Sequence, residues 1–143
     1  MVSHSETLTP GLVREAVAYD RLAWMRPLVQ AVTHRFDTVA RLFAGAPADP
    51  EAWRAVIGRL AAAPRDRDAA ATVIQAQLAR RNAPTAAQGA AADLALPDAI
   101  AIVTGQQAGL FGGPLYTLLK AVTTIQIARR AREQYGVPAV PVF

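Results

Sequence analysis

With 143 residues, 52% of them apolar, the chain is long enough to bury a core and too apolar to be disordered. Its formal charge is +4, but Lys120 is the single lysine among 15 basic residues, and the arginines are scattered rather than gathered on one aromatic-lined face, which argues against a nucleic-acid surface. There is no cysteine, which excludes disulfides, thiolate metal sites and a cysteine nucleophile within these residues.

The opening stretch MVSHSETLTPG lacks the basic segment and apolar core of a signal peptide. No apolar run approaches the length of a membrane span, so the expected compartment is the cytoplasm, with no membrane partner. Thr9-Pro10 reads as a helix start, and Leu12, Val13, Ala16 and Val17 as a short apolar stripe behind it. Pro27 interrupts the chain. After it, Leu28, Val32, Phe36, Val39 and Phe43 predict one face of a helix that ends at Gly45 and Pro47. Asp49-Pro50-Glu51 starts another helix, with Trp53, Ile57 and Leu60 facing one way. RDRDAAATVIQAQLARRN places acids early and arginines late, as the helix dipole prefers, and PTAAQGAAADLAL predicts a weak, alanine-rich helix.

The pattern changes at Pro97. AIAIVT is a short continuous apolar run, suited to a strand covered on both faces. Pro114 to Tyr135 predicts a long helix with Leu118, Val122, Ile125 and Ala128-Arg129 on one side and Gly136 as its C-terminal cap. VPAVPVF returns to extended structure, so residues 97–143 make a βαβ unit of a parallel sheet. The class is α/β. Residues 1–96 are a helical region packing on that unit, with no linker that would separate two domains.

Ligands of open α/β sheets bind outside the carboxyl ends of the strands, where the loop Gly105 to Gly113 lies. Gly105, Gly109, Gly112 and Gly113 let backbone approach a ligand, and Pro114 opens a helix whose first N–H groups favour phosphate or carboxylate. Gln106 and Gln107 supply donors and acceptors at the strand exit, and Tyr116 and Lys120 lie four apart on one helix face. A tight structural turn with a solvated lysine fits the same residues, and the spacing matches neither the dinucleotide fingerprint nor the P-loop. Both readings stay open on the residues alone. On the first, replacing Gly113 by valine is expected to weaken ligand binding and leave the fold intact. His4 and His34 form no ligand pair, no paired carboxylates occur, and Trp24 and Trp53 read as core or interface packing, so no metal site is expected.

VTGQQAGLFGGPLYTLLKAVTTIQIA followed by VPAVPVF, residues 103–143, resembles the N-terminal part of the bacillithiol biosynthesis cysteine-adding enzyme family, BshC. The family's pattern is TGQQ-x-GLF-x-GPLY-x-x-x-K, a basic helix, then P-V-x-P-V-F. The resemblance implies a Rossmann-like, nucleotide-binding core, here incomplete. It also implies the ligation of L-cysteine to glucosaminyl-malate, the last step to bacillithiol. Amide formation from a free carboxylate is uphill, so ATP is the expected co-substrate, acting through an acyl-adenylate or acyl-phosphate. Gly105, Gln106, Gln107, Gly109, Gly112, Gly113, Pro114, Tyr116 and Lys120 are then the expected substrate or nucleotide contacts, and no catalytic residue is assigned. The family's strand runs on into a tryptophan and an E-D-H-D cluster, which the sequence does not reach. The chain is therefore expected to be an N-terminal part of such a ligase, inactive alone, lacking the coiled coil through which the family would form homo-oligomers. The rival expectation is a non-catalytic α/β anion-binding or scaffold piece.

Overall fold

Pro10-Gly11 is a turn-forming dipeptide flanked by strand-favouring threonine and valine. In the computed structural model, which describes residues 6–9, 12–14, 16–105, 109 and 113–143, those flanks pair as an antiparallel hairpin. Strand β1 (Glu6–Thr9) sets Glu6 opposite Arg14 and Thr7 opposite Val13 of β2 (Leu12–Arg14), with an irregular step between Thr7 and Thr9. The helix expected behind Thr9-Pro10 is therefore absent. Strand pairing prevailed over the proline start signal.

The hairpin belongs to a first unit, Met1–Ala52. The long helix expected from Leu28 to Phe43 is shorter there. Helix α1 (Pro27–His34) stops at Arg35, whose φ of −144° and ψ of 51° leave the helical region, and two 3-10 turns follow, Phe36–Thr38 and Ala40–Leu42. The run Thr33 to Val39 is rich in β-branched, aromatic and aspartate residues, all weak helix formers. Phe36 and Phe43 still meet, with ring centroids 5.3 Å apart. Trp24 is 75% exposed, so of the two roles expected for it, core packing is not the one it takes.

The second unit, Trp53–Phe143, carries the sheet. Helix α2 (Pro50–Ala62) turns Ile57 and Leu60 to the core and stacks Trp53 on Tyr135, with centroids 5.9 Å apart. Helix α3 (Arg67–Arg80) is capped by Asp66, whose carboxylate accepts from the Ala69 N–H at 2.9 Å. Helix α4 (Thr85–Asp93) follows behind Pro84. Strand β3 (Ile100–Val103) and strand β4 (Ala139–Val142) pair in parallel, Ile100 opposite Ala139 and Val103 opposite Val142, joined by helix α5 (Leu115–Tyr135). The chain is thus a mixed α/β fold with a parallel strand pair. Gly136 ends α5 in the left-handed region at φ 66°, its N–H donating to the Arg132 carbonyl.

Two expectations change inside this unit. Strand β3 is covered on one face only, since Ile100 is buried while Ala101 is exposed and Val103 is 69% exposed. The face of α5 that packs on the sheet is Thr117, Thr124, Ala128 and Ala131, whereas Leu118, Val122 and Ile125 point outward. Small side chains let the helix backbone approach the strands, and the core is correspondingly tight: Ile100, Ala128, Ala131 and Ala139, with Ile57, Leu60, Ile102 and Val137 against them.

Arginine ties the layers together. Arg67 Nη1 donates to the Ala99 carbonyl at 2.7 Å, and Arg132 Nε to the Ala139 carbonyl at 2.7 Å, while Arg132 also faces Asp93 at 3.7 Å. Ala139 is completely buried. Arg132→Ala should cost about 1–3 kcal/mol by orphaning that carbonyl. Asp93→Asn, which removes only a half-exposed ion pair, should cost less than about 1 kcal/mol. Urea denaturation of both variants compares them, and equal midpoints would deny the carbonyl its role.

Candidate functional site at the start of helix α5

Strand β3 delivers Thr104 and Gly105 to the carboxyl end of the parallel pair, and α5 begins at Leu115. Of the residues expected to form the site, Gln106, Gln107 and Gly112 lie outside the described residues; Gly105, Gly109, Gly113, Pro114, Tyr116 and Lys120 are placed. Pro114 is the residue before the helix rather than its first member, extended at φ −69° and ψ 160°. Pro114, the residue at the cap position, makes no side-chain cap hydrogen bond to α5. Thr117 N–H donates to the Pro114 carbonyl at 2.8 Å, and the N–H groups of Leu115 and Tyr116 precede it in the first turn.

The placed glycines differ in what they require. Gly113 sits at φ +83°, where a side chain is strained, and a Cβ there would lie 3.2 Å from Thr117 Oγ1. Valine at 113 would therefore disturb the fold as well as a ligand, which corrects the expectation of a clean binding variant. At Gly109 a Cβ would come within 2.9 Å of Gly113 Cα, so the two backbones touch and leave no room for a side chain. Among the described residues, no atom lies within 4 Å of the equivalent position at Gly105.

Lys120 is anchored rather than waving in solvent. Its Nζ donates to the Gly105 carbonyl at 3.2 Å and sits 4.7 Å above the centre of the Tyr116 ring. The four-residue spacing thus becomes a direct contact, and the ammonium is brought to the strand exit. An ammonium carries three donors, of which Gly105 takes one. An open cleft of about 430 Å³ lies beside it, lined by Ile102, Thr104, Tyr116, Lys120, Thr123 and Ile127 among others. A larger apolar groove of about 500 Å³ runs along β4 between Leu78, Leu94, Ile125 and Val140, and it includes none of the loop residues. Among the described residues there is no cluster of three or more His, Cys, Asp or Glu side chains, and no helix long and apolar enough to cross a membrane.

One residue of this corner has no signal in the spacing of the glycines. Thr117, in the first turn of α5, is only 8% exposed. A threonine one turn before Lys120, on the helix face that must meet the strand, is the pattern that could have singled it out.

The chain matches the family model described as bacillithiol biosynthesis BshC, N-terminal Rossmann-like domain, over residues 15–143. It is 41% identical over 108 residues to a Salinibacter ruber protein named "Putative cysteine ligase BshC", covering 76% of this chain and 20% of that one. The protein of the same name from Geobacillus kaustophilus is 40% identical over 101 residues, 71% of this chain and 19% of the relative. That from Heliobacterium modesticaldum is 58% identical over a shorter stretch of 50 residues, 35% of this chain and 9% of the relative. The chain therefore spans at most about a fifth of the length of these relatives. A parallel strand pair joined through a helix that starts behind a glycine-bearing strand exit is consistent with a Rossmann-like unit, and with the match over residues 15–143 the chain belongs to the BshC family, through its N-terminal Rossmann-like domain.

Proposed function

We propose that these residues supply the anion-holding half of a cysteine ligase that joins L-cysteine to glucosaminyl-malate in the last step of bacillithiol biosynthesis. Family membership supports the reaction class. The observation that carries the site is the anchoring of Lys120 Nζ on the Gly105 carbonyl, next to the N-terminus of α5, where Pro114 supplies no side-chain cap. The first N–H groups of α5 and the two remaining ammonium donors hold carboxylate or phosphate oxygens, and Tyr116 keeps the lysine in place. The side of Gly105 that the described residues leave clear admits a ligand to within contact of backbone.

These features also fit the phosphates of a nucleotide. ATP, when bound, supplies the free energy that amide formation from a carboxylate requires. The residues named here bind and orient; the base that deprotonates the attacking amine lies elsewhere in this reading.

The test is Lys120→Met in the intact protein, which keeps the aliphatic stem and removes the charge. Turnover of cysteine with glucosaminyl-malate, followed by mass spectrometry of the product, should fall about 100-fold, the usual loss when one preorganised donor is removed. Stability should change by less than about 1.5 kcal/mol, since the bond to Gly105 is exposed. Unchanged kcat/KM in the folded variant would leave the loop as a structural turn, and the scaffold reading would replace this one.

A further inference from the structure

We draw no further inference here: the strongest candidate, the apolar groove of about 500 Å³ along β4 between Leu78, Leu94, Ile125 and Val140, is an unpartnered apolar face, and nothing in the structure shows what covers it.

Discussion

Gly113→Val should destabilise the protein by at least about 2 kcal/mol, whereas Gly105→Ala, eight residues earlier in the same loop, should leave stability unchanged or slightly raised. Gly113 sits at φ +83°, where an L side chain costs about 1–2 kcal/mol and a β-branched one is a clear outlier. The added Cβ would also stand 3.2 Å from Thr117 Oγ1, and Thr117 is buried and cannot retreat. Overpacking of that kind costs about 1–3 kcal/mol more. Gly105 is under neither constraint: no atom of the described residues lies within 4 Å of its Cβ position and its φ is not positive. Alanine there reduces unfolded-chain entropy, a gain of about 0.4–1 kcal/mol. At the proposed anion site, its methyl group would stand on the side from which the ligand comes. Ligand affinity should therefore fall in Gly105→Ala without loss of stability, and the two variants separate the structural glycine from the one that clears space. Denaturation midpoints together with calorimetric titration of pyrophosphate read both effects. Equal midpoints would show that the turn before α5 relieves its strain freely.

The second large effect is expected from residues 1–143 produced alone: no ligation of cysteine above background, and self-association at micromolar concentration. The second unit has a parallel sheet of two strands, and about three or more strands are needed for independent stability. Its apolar surface is largely uncovered. Val103 is 69% exposed, Leu115 73%, Leu118 59% and Phe143 57%. With the groove of about 500 Å³ along β4, this surface invites association with other chains. The chemistry should fail for a separate reason. The described residues place one cation, Lys120, beside the first N–H groups of α5, and the chain spans at most about a fifth of the length of the curated relatives it matches. Light scattering and product analysis test the two halves of the expectation independently. A monomeric, cooperatively melting chain with ligase turnover would overturn both.

Much of the second unit was legible in the sequence because its signals are local. AIAIVT announced a strand, and Gly136 announced the end of α5 by the left-handed conformation it alone adopts cheaply. Trp53, Ile57 and Leu60 read as one face of α2 and are one face. The loop with Tyr116 and Lys120 stood out by composition before any coordinate was known. Sequence alone also carried the family resemblance, since residues 103–143 hold an uninterrupted motif.

Only the tertiary structure decided the rest. Helix α5 is apolar on two sides, and periodicity cannot say which side meets the strands. The sheet takes the stripe of Thr117, Thr124, Ala128 and Ala131, because small side chains bring the helix backbone close, and Leu118, Val122 and Ile125 are turned outward. The single covered face of β3 and the register of β4 depend on pairing between segments almost 40 residues apart. At the N-terminus, hairpin pairing outweighed a proline start signal that pointed to a helix. The contact of Lys120 with Gly105 spans 15 positions, beyond the reach of any local signal. Local preference names the elements; the choice of which faces are buried belongs to contacts the chain makes at a distance.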